Sequence, residues 1–181
     1  MTVLIFYFMS LDSVEFLHDA IVDNDIDVVR MLLTEQNVDV CSQCDGEYPI
    51  GLAVRMGLKS WKIDQNPDLF GKSMKIMEKH IEMIRYLCAS HARLNVHTDY
   101  HQSTPLMIAA AAGAVPIVKV LVRYTEEVFQ MNIFGLNAYD LVVALESKKS
   151  DPARLAVKKI LHEKMFTVKA RQMNRWLATI E

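Results

Sequence analysis

Four side chains have the types and spacing to hold a metal ion. Two residues separate Cys41 from Cys44, and two separate Cys88 from His91. Such a gap lets both side chains of a pair turn toward one ion, and three thiolates with one imidazole form an accepted tetrahedral zinc set. Cys41-Ser-Gln-Cys44 also has the spacing of a redox pair, which requires a helix start at the first sulfur. These four residues define a metal- or redox-responsive alternative for the chain. Other chemistry is poorly supported. His18, His80, His91, His97, His101 and His162 show no His-Glu-x-x-His spacing, and Gly-x-Ser-x-Gly and phosphate-cradling glycine loops do not occur. Asp23, Asp25 and Asp27 lack the glycine and distal glutamate of a calcium loop. They suit a helix start, which favours negative charge. No catalytic residue and no cofactor is expected.

The elements that must position these residues are short helices in pairs. Between Ser103 and Val122, Thr104 can cap a first helix with Pro105 at its first position, where a missing N–H costs nothing. Ala109 to Ala112 allow close packing, and Gly113 supplies a tight turn. Ile117, Val118, Leu121 and Val122 recur at helical spacing. Leu17 to Leu33 repeats this pattern, with Asn24 at the glycine position. Tyr48 to Gly57, with Gly57 as its turn glycine, and His80 to Cys88 give a first and a second helix. Gly135 to Val142 opens a last unit, with its second helix at Pro152 to Leu161. This phasing weighs against zinc. Cys88 takes the second-helix position that Leu33 and Val122 take elsewhere, so it should point inward. Cys41 and Cys44 fall in the preceding loop, away from a helix start.

Composition sets outer bounds. The chain has 181 residues, 51% of them apolar, which fits one domain with a real core. A net charge of -2 gives no reason to expect nucleic acid or a membrane as partner. Three cysteines, an odd number, argue for a reducing compartment, and the cytoplasm is expected, with the nucleus, or a host cell for a pathogen's protein, as alternatives. The opening residues 1–9 are apolar but too short to span a bilayer as a helix. They are expected to pack on the first unit or stay disordered. The charge is unevenly spread. Asp12 to Glu47 holds ten acidic residues and only one Lys or Arg, Arg30; Lys148 to Arg175 holds nine basic residues against Asp151 and Glu163. In an elongated array this makes one acidic end and one basic end. The basic end, with Lys158, Lys159 and Lys169, is a possible dock for an acidic partner.

Thr104-Pro-Leu-Met-Ile-Ala109 resembles the Thr-Pro-Leu-His-x-Ala signature of the ankyrin repeat, with Met107 in place of histidine. Leu17-His-Asp-Ala20 keeps the other end of that motif. His91-Ala-Arg-Leu-Asn95 is similar to the family's Gly-Ala-x-x-Asn stretch, with His91 in place of glycine. The resemblance covers roughly residues 13–164. It implies an all-α solenoid of about four repeats, 13–40, 46–95, 102–129 and 135–164, joined by β-hairpin-like loops. It also implies that His18 bonds backbone between repeats. The second repeat departs from the family by an insertion at 58–79, expected as a connection carrying Trp61 and Phe70, after which 73–80 extends the second helix with Ser73 as a possible cap. Residues 165–181 are expected to form a separate capping helix. Met74, Met77 and Met83 are expected to fill core.

The resemblance implies a non-catalytic module that binds a protein partner, as scaffold, adaptor or inhibitor, and is itself a monomer. The family's contact positions map onto two loops. The first carries His97, Asp99, Tyr100, His101 and Gln102; the second carries Met131, Asn132 and Phe134. Arg55 and Met56 can extend the same face, and Trp61 on the insertion is a further candidate. Tyr100 and Phe134 are the preferred anchors, because aromatic groups dominate interface energetics.

Overall fold

The computed structural model describes residues 13–64, 70–146 and 151–179; the apolar opening lies outside them. The helices are α1 (13–22), α2 (Ile26–Thr34), α3 (Pro49–Asp64), α4 (Phe70–Ala89), α5 (Pro105–Ala111), α6 (Val115–Tyr124), α7 (Ala138–Glu146) and α8 (Pro152–Leu177). Among the described residues, the only extended pairing is an isolated bridge between Cys44 and Glu47.

The caps explain where these helices start. Thr104 Oγ1 accepts from the Met107 N–H, and the Met107 sulfur accepts from the Thr104 N–H, so a thioether completes the capping box. Asp25 caps α2, Asn137 caps α7 and Asp151 caps α8. The turns between helices need left-handed backbone. Gly113 has φ 69°, Asn24 φ 57° and His91 φ 65°, so asparagine and histidine take the glycine role at two of these turns.

The helices form two layers. First helices stack as α3, α5 and α7, and second helices as α2, α4, α6 and α8. The interior is continuous from Leu17 and Ile21 through Ile84, Leu87, Ile117 and Leu121 to Val157 and Leu161, all but fully buried. Met77 and Met83 belong to it, as expected, while the Met74 side chain lies outside the described set. Each unit buries its apolar face only against its neighbours, which is how a solenoid gains stability.

Two expectations need correction. The segment 58–79 is not simply a connection. α4 covers 73–80, the extension expected of the second helix, but it starts earlier, at Phe70, and α3 runs on to Asp64, so the insertion lengthens both helices of the second unit, with 65–69 outside the described residues. Ser73 lies inside α4, three residues past its start. Gly57, read as a turn, lies inside α3. A Cβ there would sit 3.1 Å from Ile117 Cδ1 and 3.4 Å from Ile84 Cδ1. The glycine is needed for close helix approach and not for its φ. Second, the tail is not a separate helix. α8 runs unbroken for 26 residues. Its first half buries Val157 and Leu161, while every residue from Lys169 to Thr179 is exposed, so this last stretch covers little of the array.

Candidate protein-binding surface

The loops before α5 and α7 share one construction. Asp99 Oδ1 accepts from the His101 and Ser103 N–H groups. Asn132 Oδ1 accepts from the Phe134 and Leu136 N–H groups, at the same offsets of two and four residues. In both loops the residue three further on is left-handed and donates its N–H to the carbonyl of that Asp or Asn; Gln102 has φ 56° and Gly135 φ 71°. A short polar side chain that binds nearby backbone is the usual means of fixing such a turn.

The two tips are also joined. The Ile133 N–H donates to the His101 carbonyl at 3.0 Å. The His101 and Phe134 rings lie 5.1 Å apart between centroids, tilted by 45°. Behind the tips, Gln130 donates to the Asn95 carbonyl and lies 3.4 Å from His97 Nε2, and Asn95 donates to Glu127. From this frame Tyr100 projects with 99% of its surface exposed, beside Met131, Ile133 and Phe134, each more than half exposed.

The predicted residues therefore divide. Tyr100, Met131 and Phe134 are exposed apolar groups, and His101 is exposed against Phe134. Asp99 and Gln102 hold the first tip in shape. Asn132 is buried and spends its carbonyl oxygen on two backbone groups, so it positions the second tip. Arg55 is exposed on α3 and pairs with Glu47. Met56 is half-buried against the core. Trp61 lies on α3, packs against the core, and has a buried indole N–H without an acceptor, so it is not a free recognition group. Ile133 was missed. The 33-residue offset between Asp99 and Asn132 would have placed it opposite Tyr100.

The thiols do not assemble. Cys41 donates to the His91 carbonyl at 3.7 Å, Cys44 bridges to Glu47, and Cys88 is buried. Among the described residues, no three of His, Cys, Asp and Glu gather as a metal site. Burial pushes the Cys88 thiol up to about 12. Burial, then the carboxylates of Asp45, Glu15 and Asp19, also raise Cys44. Both effects oppose the thiolates that zinc requires. His18 is buried as the family motif implies, but its Nε2 has no hydrogen-bond partner, so that nitrogen makes no tie to backbone. No helix among the described residues is long and apolar enough to cross a membrane.

A family model described as ankyrin repeats (3 copies) matches residues 73–133. That span holds most of α4, all of α5 and α6, the whole first tip, and the second as far as Ile133. No curated protein matches the chain. Ankyrin repeats generally mediate protein–protein interaction. Residues 73–133 thus match ankyrin repeats, and the paired helices on either side of that span stack in the same two layers.

Proposed function

We propose that this chain is a non-catalytic binding module, and that it grips a protein partner through the joined tips at 97–102 and 131–134. One observation carries the reading. Exposed apolar side chains, Tyr100 above all, stand on a backbone held by hydrogen bonds within and between the two tips. An exposed aromatic cluster on a rigid frame has little conformational entropy to lose on binding. Soluble proteins seldom leave such clusters without a use. Tyr100 and Phe134 are the anchors. Met131 and Ile133 fill between them, and His97, His101 and Arg55 supply polar contacts. The three free cysteines suit a reducing compartment such as the cytoplasm.

Affinity capture from the source cell, with the wild type and Tyr100→Ala side by side, tests this. Tyr100→Ala should leave the thermal midpoint unchanged and weaken the captured partner by about 2 kcal/mol or more. Phe134→Ala should weaken binding similarly, with a small loss of stability from the His101 contact. Equal capture by wild type and both variants would exclude the tips as the binding face.

A further inference from the structure

The loop before α3 begins as the two tips do and then departs from them. The Asp39 carboxylate accepts from the Cys41 N–H, and the Ser42 N–H donates to the Asp39 carbonyl, the same offsets of two and three residues found at Asp99 and Asn132. Asp99 stands six positions before Pro105 and Asn132 six before Ala138, but Asp39 stands ten before Pro49. The extra residues turn through Asp45 and Gly46, both left-handed, and close the bridge between Cys44 and Glu47. Among the described residues, no backbone hydrogen bond joins this longer loop to the tip at 97–102, whereas the Ile133 N–H joins that tip to the one beyond it. A cleft of about 400 Å³ opens between the two instead, lined by Gln43, Tyr48, Arg93, Asn95, Val96 and His97.

Five of these six residues are polar and none is an acid. Asn95 is engaged with Glu127, and His97 lies beside Gln130. Gln43, Tyr48 and Arg93 bring an amide, a phenol and a guanidinium whose side chains bond to no other described residue, and Arg93 is exposed without an acid partner among them. The acids of the flanking loops are occupied or turned away. Asp39 and Asp99 bind the backbone of their own loops, Glu47 pairs with Arg55, and the charge of Asp45 acts on His18 and Cys44.

We infer that this cleft takes a carboxylate side chain of the protein partner, so that the segment gripped by the tips is acidic beside its apolar anchors. The inference rests on the tips being the binding face and adds what the partner must present there. A guanidinium offers a planar fork of N–H donors that matches a carboxylate, which is why a free arginine selects that group. His97 ties the cleft to the tip. It lines the cleft and stands three residues before Tyr100, no more than about 11 Å away along the backbone. A partner segment lying over Tyr100 therefore reaches Arg93 within a few of its own residues. A charge pair at the edge of an apolar contact sets orientation and partner choice more than it adds affinity.

A random peptide library displayed on phage and selected on the immobilised full chain tests this. The wild type should enrich peptides with aspartate or glutamate beside aromatic or aliphatic residues. Selection on Arg93→Gln should keep the apolar residues and lose the acid, and selection on Tyr100→Ala should lose both. Arg93 is exposed, so its replacement should leave the thermal midpoint unchanged. In an enriched peptide, exchanging the acid for its amide should weaken binding to the wild type about fivefold and hardly alter binding to Arg93→Gln. Apolar enrichment without acid, or an exchange that costs both proteins equally, would overturn the inference and leave the tips standing as the binding face. Peptides held equally well by Tyr100→Ala, or no enrichment on the wild type, would remove that face and the inference with it.

Discussion

Asn132 shows what one side chain does here. Its amide oxygen is buried and takes two backbone N–H groups, those of Phe134 and Leu136. Asn132→Ala should therefore cost about 1–3 kcal/mol, the penalty for leaving buried donors unpaired. Asn132→Asp, which keeps an acceptor, should cost less; thermal unfolding measures both. Partner affinity should fall with Asn132→Ala although the side chain touches no partner. The buried histidines give a pH dependence. Burial lowers the pKa of His80, and it lowers that of His18 despite the opposing charges of Asp19 and Asp45. Below about pH 6.5 the unfolded chain takes up protons that the folded chain resists. Stability is thus retained above that value and lost as pH falls through it. The thermal midpoint should drop between pH 7.5 and 5.5, and His80→Gln should flatten the drop. The sequence displayed Tyr100 and Phe134 as loop aromatics but hid the role of Asn132. A polar residue in a loop looks solvated until the backbone that it binds is known.

Among helices and loops, the most informative error concerned glycine. Gly57 resembled a turn because glycine commonly ends helices, and the following residues are mixed in character. Its role depends on Ile117 and Ile84, which lie 60 and 27 positions away, and no local pattern reports such distances. Gly51 is a second case. A Cβ there would lie 2.7 Å from Thr98 Cγ2, and Thr98 is held by its hydroxyl bond to the Ser103 carbonyl. Gly51→Ala should therefore destabilise by about 1–3 kcal/mol, although alanine favours a helix by about 1 kcal/mol. It should also loosen the first tip, which hydrogen exchange at His101 and Ser103 can detect. The caps were legible because Thr104-Pro105 and Asp151-Pro152 carry their meaning within a few residues. The merging of 152–161 with the tail was not, because polar residues 162–164 look like a break when they are only an exposed turn of α8.

As an assembly, the array has a gradient of order. Its middle, α4 to α6, is enclosed by neighbours on both sides, whereas the last turns of α8 are exposed all round. Native-state hydrogen exchange should be slowest in α4 and α6 and fastest beyond Val168. Uniform protection along α8 would show that something covers its distal half. The stacked architecture was readable from phased motifs, because each repeat restates the same local physics. The opposite end faces were half readable. The charge asymmetry is plain in the sequence, but which apolar side chains face outward appears only once the helices are placed.

The bond from Ile133 to His101 has a practical corollary for anyone wishing to redirect this protein. Adjacent tips share one frame, so lengthening either loop would throw its neighbour out of register. Specificity should instead be changed by substitution at fixed length. A library varying Tyr100, Met131, Ile133 and Phe134 while keeping Asp99, Gln102, Asn132 and Gly135 would preserve the scaffold and exchange only its outer chemistry.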